Sequence, residues 1–137
     1  MTLEERIMKA EKMHQAGGNC AQAVSAAFSD LTDLDEKTLF KITEAFGLGM
    51  GCMEGTCGAI SGAAAVIGYR NSSGTTEKIT KQATYKQIAA VVREFRERNK
   101  ALVCADLKGV HTGKVLCSCP DCIKSAVEIT AKVLGVA

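Results

Sequence analysis

The sequence has no long apolar run and no stretch dominated by charge of one sign. A membrane-spanning helix needs about 18 or more apolar residues in succession, and the 137 residues contain no such run. Lysine and arginine total 17 against 15 acidic residues, with both signs scattered, so we expect no nucleic-acid partner and no polybasic membrane anchor. The first six residues lack the basic and apolar regions of a signal peptide. We therefore expect a cytoplasmic protein without a membrane partner.

Strand patterns and familiar catalytic motifs are also missing. No alternation of apolar and polar residues is long enough for a convincing strand. The chain contains no internal repeat, no low-complexity segment, no serine–histidine–aspartate order and no phosphate-binding glycine fingerprint. These absences argue against β and repeat architectures and against common hydrolase and nucleotide-binding classes. Whether the protein is an enzyme stays open at this point.

Cysteine, by contrast, is abundant, with seven residues in a chain that is 47% hydrophobic. A domain of this size buries roughly two-thirds of its surface without help from disulfides, and cytosolic thiols are kept reduced. An odd number of cysteines also fits poorly with complete pairing. The cysteines therefore indicate metal or redox chemistry in a single domain spanning residues 1–137.

A helical period of apolar residues runs through nearly the whole chain. Thr2 and Glu5 form a capping-box pattern before the first helix, and Asn19 is placed to cap a second one. We predict an all-α fold, a compact bundle of about six or seven helices. The later helices are predicted at residues 39–46, 57–69, about 77–99 and 101–107, and from near Pro120 onwards.

Residues 47–56 interrupt this pattern with four glycines, each of which costs a helix about 1 kcal/mol. We predict an ordered loop followed by a central helix of small residues. Loop amides without neighbouring side chains can point at an anion, which makes this region a candidate cofactor-binding segment. Gly58 and Gly62 share one helix face, which favours close packing of a second helix over contact with a cofactor. The candidate cofactor-binding glycines are Gly49, Gly51, Gly55 and Gly58.

Several cysteines lie where predicted helices begin. Cys20, Cys57 and either Cys119 or Cys122 fall in a first turn, where the helix dipole and free N–H groups stabilise a thiolate. The glycine loop leads directly into Cys57, and amide hydrogen bonds tune the potential of iron–sulfur clusters. We therefore predict a metal centre. The candidate ligands are Cys20, Cys52, Cys57, Cys104, Cys117, Cys119 and Cys122.

Three thiols are concentrated in residues 117–122, where Cys119 and Cys122 form a CxxC element. Such an element binds zinc or an iron–sulfur cluster, or acts as a dithiol at a helix start. The thioredoxin-like dithiol needs a preceding strand, which this sequence lacks, so a metal centre is favoured. A metal-free thiol–disulfide switch through Cys119 and Cys122, or through Cys52 and Cys57, stays open, as does a structural zinc module. His14 is predicted to be a boundary residue of the first helix.

Four segments together resemble a known family. They are Asn19–Val24, the run from Cys57 to Gly62, Cys104 behind a long charged helix, and the run from Cys119 to Cys122 at the start of the last helix. This order is similar to that of the C_GCAxxG_C_C family of putative redox-active proteins, named for four cysteines and a Cys-Gly-Ala-x-x-Gly motif. The resemblance covers nearly the whole chain and implies a redox function, without identifying a reaction.

The resemblance implies that Cys20, Cys57, Cys104 and Cys119 are the four family cysteines. It favours an iron–sulfur cluster as the cofactor, for electron transfer or redox sensing, with zinc as the alternative. The flat small-residue helix leaves room for a homodimer interface, and electron transfer implies a redox partner protein. Three cysteines are additions to the family pattern and leave the ligation open: Cys52, Cys117 and Cys122.

Overall fold

Helix starts in the structure correspond to the capping signals in the sequence. A computed structural model describes all residues, 1–137. The Thr2 side chain accepts the Glu5 amide while the Glu5 carboxylate accepts the Thr2 amide, and Asn19 and Gln22 form a second reciprocal pair. Such pairs satisfy amides that a helix start leaves free. The seven regular α-helices are α1 Leu3–Gln15, α2 Cys20–Ala27, α3 Glu36–Thr43, α4 Gly58–Asn71, α5 Lys81–Asn99, α6 Cys104–Lys108 and α7 Cys119–Leu134. A single further turn, Gly47–Met50, contains left-handed residues and is not a regular helix.

Helix accounts for 68% of the chain and no strand forms, which confirms the all-α prediction. One isolated antiparallel bridge joins Thr56 to Val103. Two 3₁₀ turns, Ser29–Leu31 and Glu44–Phe46, flank α3. None of the helices combines the length and apolar character that crossing a bilayer requires.

The longest helix, α5, begins about four residues later than the sequence predicts. Ser73 and Thr75 use their hydroxyls to accept the amides of Thr75 and Glu77 at 3.3 and 3.2 Å. These local bonds offer the backbone an alternative to the helix. The segment before Lys81 therefore forms turns, and α5 starts only where they end.

The second helix, α2, is at the centre of the bundle. All eight of its residues are buried, and it contacts α1, α3, α4 and α7. The core extends from α2 to α4, α5 and α7, and each large apolar side chain buried there contributes about 1.5–3 kcal/mol of transfer free energy. Fully buried members of this core are Val24, Phe28, Ile67, Phe95, Ile123 and Val127.

Helices α2 and α4 approach each other closely because Gly62 has no side chain. A Cβ atom on Gly62 would lie 2.5 Å from the carbonyl oxygen of Ala21 and 2.9 Å from its Cα atom. Real Cβ contacts are never this short, so only glycine permits the approach. The packing role predicted for the face of Gly58 and Gly62 is therefore the one that Gly62 performs, and it brings the start of α4 beside the start of α2.

Arg6 connects α1 to the end of α2 through hydrogen bonds. Its guanidinium donates to the carbonyl oxygen of Ala27 at 2.9 Å and to both carboxylate oxygens of Asp30 at 2.6 and 3.0 Å, and it lies over the ring of Phe28. A cation here also complements the negative end of the α2 dipole. The sequence pattern places Arg6 on no apolar face, yet its side chain is only 3% exposed.

Candidate thiol-lined site

Four cysteines that are far apart in the sequence line one cavity of about 190 Å³. They are Cys20, Cys57, Cys104 and Cys119, the same four that the family resemblance implies as a set. Cys20, Cys57 and Cys104 are buried, and Cys119 is partly exposed. The remaining residues around the cavity are His14, Asn19, Leu48, Gly58 and Lys108.

Each of the four cysteines stands at the beginning of a helix. Cys20, Cys104 and Cys119 are the first residues of α2, α6 and α7, and Cys57 is the residue that precedes α4. The partial positive charge of a helix start stabilises a thiolate. The bundle thus directs the starts of several helices toward one thiol-lined space. The sequence predicts this position for three of them but not for Cys104, whose helix begins later than expected.

The segments that carry Cys57 and Cys104 are tied together through their backbones. The amide of Cys57 donates to the carbonyl oxygen of Leu102 at 2.8 Å, and the amide of Cys104 donates to that of Gly55 at 3.0 Å. The amide of Ala105 donates to the carbonyl oxygen of Met53 at 2.9 Å. These long-range bonds fix the separation of the two cysteines without any side-chain contact.

The glycines of residues 47–56 shape this connection. Gly49 has a φ of 57°, and a Cβ atom there would lie 2.5 Å from the Cβ atom of Cys104. Both facts require glycine, since an L-residue is strained at this φ and no space exists for its side chain. Gly51, also at positive φ, faces open space.

Three of the loop amides are hydrogen-bonded within the loop itself. The amides of Gly51, Met53 and Gly55 donate to carbonyl oxygens within the loop, at 2.8 to 3.0 Å. Of the four candidate glycines, only Gly58 lines the cavity. The loop therefore acts by positioning Cys104. Its carbonyl oxygens, rather than these three amides, make the hydrogen bonds to the start of α6.

The three additional cysteines occupy different surroundings. Cys122 is fully buried next to Cys57, and its sulfur lies 3.6 Å from the carbonyl oxygen of Cys117. Cys117 is buried as well. Cys52 is exposed on the loop, where its thiol lies 3.7 Å from the carbonyl oxygen of Gly49. Cys117 and Cys122 thus lie behind Cys57 without lining the cavity, and Cys52 lies away from it.

Two ionisable residues on the cavity wall, Lys108 and His14, were not predicted as part of the site. Lys108 lies four positions after Cys104 in α6, a spacing that places both side chains on one helix face. This four-residue spacing from Cys104 is the sequence signal that could have identified Lys108 as a site residue. His14, partly buried near the end of α1, has no comparable spacing to any cysteine.

Residues 18–133 match the sequence pattern of the family described as "Putative redox-active protein (C_GCAxxG_C_C)". The chain belongs to this family. The resemblance inferred from the motifs is thereby confirmed, and the matched range includes all seven cysteines and Lys108 but not His14. No curated protein and no solved structure gives a match.

The electrostatic environment lowers the pKa of the Cys57 thiol. The Cys122 thiol, acting as a hydrogen-bond donor, lowers the pKa of Cys57 to about 7. The amides of Ala59 and Ile60 and the charge of Lys108 act in the same direction, and burial opposes them. A substantial fraction of Cys57 is therefore thiolate at neutral pH, the nucleophilic and metal-binding form.

Three neighbouring thiols, those of Cys20, Cys104 and Cys122, are held protonated. Burial raises the pKa of Cys20, with a further contribution from the thiol of Cys119, and burial also raises the pKa of Cys104. Next to Cys57, the hydrogen bond between the two sulfurs raises the pKa of Cys122. Filling the cavity with a metal centre would thus release protons from these thiols.

Lys108 carries its charge in this setting. Burial opposes the charged form, but the nearby Cys119 sulfur outweighs it and raises the pKa of the Lys108 ammonium, and ionisation of the surrounding thiols would raise this pKa further. The Nζ atom is itself buried. No three histidine, cysteine, aspartate or glutamate side chains lie close enough together to hold one metal ion.

Proposed function

We propose that this chain is a redox protein in which Cys20, Cys57, Cys104 and Cys119 hold an iron–sulfur cluster, for electron transfer or redox sensing. The observation that carries the proposal is that these four family cysteines, separated by up to 99 positions of sequence, line one cavity. Soft thiolates are the ligands that iron–sulfur clusters use. When bound, the cluster supplies one-electron chemistry.

The residues around the cavity fit such a centre in three respects. Every candidate ligand is a thiol, and one of them, Cys57, is already acidic enough to ionise near neutral pH. Helix starts and Lys108 bring positive potential to a space that four thiolates would make negative. Three of the four cavity cysteines are also buried, which limits access of water and oxidants to their sulfurs.

A polynuclear cluster suits the arrangement better than one zinc ion. Zinc needs its four ligand atoms about 2.0–2.3 Å from a single point. The four cysteines instead surround a cavity of about 190 Å³, with Cys20 in contact with Cys119. A cluster separates its thiolates more widely than a single ion does, so less rearrangement is needed.

A second candidate function is a metal-free thiol–disulfide switch, favoured by the contact between Cys57 and Cys122. The acidic Cys57 is the natural attacking thiolate, and its neighbour Cys122 is placed to complete a disulfide. This pair differs from the pairs that the sequence suggests for such a switch. A disulfide-forming protein would lose two hydrogens on oxidation by oxidised glutathione, which gains them as two thiols.

The test is reconstitution under anaerobic conditions. The purified protein is incubated with ferrous iron and sulfide, desalted, and measured for visible absorption, iron and acid-labile sulfide. We expect a brown protein with iron and sulfide in similar amounts. A colourless, iron-free protein after reconstitution would refute the cluster, and a Cys57–Cys122 disulfide found in that protein by peptide mapping would support the switch instead.

The proposal retains the cytosolic location expected from the sequence, where the thiols would stay reduced. It also implies a redox partner protein, and it retains the homodimer suggested by the small-residue helix. Sedimentation velocity with and without the cluster measures the oligomeric state directly. A monomer in both forms would remove the homodimer from the proposal and leave the cluster unaffected.

A further inference from the structure

Lys108 is a buried cation that makes no hydrogen bond of normal geometry within the chain. The other buried or half-buried cations of the bundle have acidic partners: Arg6 pairs with Asp30, and Lys9 pairs with Glu36. Burying an ammonium without a partner is costly. The groups that act on the charge of Lys108 are thiols, and no carboxylate is among them.

We propose that Lys108 is the fixed counter-ion of the thiol-lined cavity, a positioning residue that compensates the negative charge of the thiolates. Lys108 lines the cavity together with Cys20, Cys57, Cys104 and Cys119, and its Nζ atom is shielded from solvent. A cation in this place stabilises any anionic occupant, because Coulomb energies grow as water is excluded.

The backbone holds Lys108 in place from both sides. Before it, the first amides of α6 are bonded to the glycine loop, as described for Cys104. After it, Gly109 closes the helix at a φ of 71°, and a Cβ atom there would lie 2.4 Å from the carbonyl of Lys114. The carbonyl oxygen of Leu107 also accepts the amides of Leu116 and Cys117, at 2.9 and 3.1 Å. A lysine anchored in this way keeps its charge at the cavity.

The consequence for redox chemistry rests on the function proposed above. Reduction adds one electron and makes a thiolate-bound cluster more negative, and net charge is one of the factors that set its potential. A fixed cation therefore favours the reduced state. Replacing Lys108 by methionine should lower the midpoint potential, whereas the counter-ion role itself is measurable in the metal-free protein.

The first experiment uses reduced, metal-free, full-length protein and two alkylating reagents, anionic iodoacetate and neutral iodoacetamide. With either reagent the Cys119 thiolate forms a bond to carbon and displaces iodide. The rate with iodoacetate divided by the rate with iodoacetamide is independent of the intrinsic reactivity of the thiolate. This ratio reports the local electrostatic potential. Peptide mass spectrometry follows Cys119, the most exposed of the four cavity cysteines.

We expect Lys108→Met to lower the iodoacetate preference at Cys119 by about fivefold, as the loss of one nearby charge in a poorly hydrated site predicts. Lys108→Arg, which keeps the charge, should retain the preference. The matched control is Lys124→Met, which removes an exposed lysine from α7 and should change nothing. Equal ratios in wild type and Lys108→Met would overturn the proposal.

Circular dichroism establishes whether Lys108→Met is folded. If it is not, the wild-type ratio at Cys119 is compared with that of N-acetylcysteinamide, a thiol without neighbouring charge. A wild-type ratio no higher than that of the free thiol would also overturn the proposal.

The second experiment measures the midpoint potential of the reconstituted proteins. Lys108→Met should shift the oxidised-to-reduced equilibrium about tenfold, which is about 59 mV for one electron, toward the oxidised form. Wild-type protein that binds no iron would refute the cluster while the alkylation ratios still decide the role of Lys108. Loaded proteins with equal potentials would refute the role of Lys108 in redox tuning and leave the cluster in place.

Discussion

Cys57 and Cys122 illustrate how one side-chain type takes different chemical roles in a single site. Both are fully or almost fully buried, so desolvation alone would raise the pKa of each. Their mutual contact separates them, because the thiol that donates the hydrogen bond stays protonated while its acceptor ionises. The surrounding amides and Lys108 make Cys57 the acceptor.

Removing the donor should therefore raise the pKa of Cys57. In Cys122→Ala we expect the midpoint to move from about 7 toward the usual thiol value of about 8.5. Cys122→Ser keeps a donor and should retain much of the lowering. The measurement is the pH dependence of iodoacetamide alkylation at Cys57 in reduced, metal-free protein, with Cys52→Ala as the control. An unchanged midpoint in Cys122→Ala would contradict the assignment.

A second residue-scale prediction concerns the ion pair of Arg6 and Asp30. The hydrogen bonds from Arg6 hold the pKa of Asp30 below its ordinary value. A lowered folded-state pKa stabilises the protein fully above the unfolded value of about 3.9, and this contribution is lost as the pH falls through the folded value.

Asp30→Asn should therefore destabilise the protein at pH 7 by about 1 kcal/mol, a modest figure because solvent reaches the Asp30 carboxylate. The difference in unfolding free energy from wild type should shrink below about pH 4. Urea unfolding at pH 7 and pH 3 measures it. A difference of the same size at both pH values would argue against the ion pair as its source.

At the scale of elements, the contact of α2 with α4 determines how close Cys20 and Cys57 can come. Gly62 allows this contact, because the backbone of Ala21 occupies the space that a side chain would need. The glycine loop positions the start of α6 in a similar way, because its carbonyl oxygens accept the amides of Cys104 and Ala105. The helix contact and the loop both position the cysteines through backbone atoms.

Gly62→Ala should therefore separate the two helices and destabilise the fold by about 1–3 kcal/mol. The matched control is Gly68→Ala in the same helix, because a Cβ atom at Gly68 meets nothing within 4 Å. This control should stabilise the protein by up to about 1 kcal/mol, since alanine favours a helix over glycine. Urea unfolding of the two variants gives the comparison. Equal effects would show that the close approach at Gly62 is not what limits substitution.

At the scale of the whole molecule, the features that depend on neighbouring residues were predictable from the sequence. Thr2 and Asn19 cap the expected helices because a capping box is complete within four residues. The start of α5 was misplaced because turns formed by Ser73 and Thr75 compete with helix formation. Helix existence follows from periodicity, but its boundaries depend on side-chain hydrogen bonds.

The site was predictable as a set of residues but not as an arrangement. Family motifs identify Cys20, Cys57, Cys104 and Cys119, whereas only folding determines that all four line one cavity. Lys108 is one helical turn from Cys104, yet its burial follows from contacts with distant segments. Such long-range contacts have no local sequence pattern.

The most direct test of the central claim is the cofactor content of seven single cysteine-to-serine variants after identical anaerobic reconstitution. The account predicts that iron and sulfide fall sharply in the variants of Cys20, Cys57, Cys104 and Cys119. The variant of exposed Cys52 should bind as much iron and sulfide as wild type. The variants of Cys117 and Cys122 should retain the cluster if they fold. Loss of iron and sulfide in the Cys52 variant, or full retention in variants of the four cavity cysteines, would contradict the account.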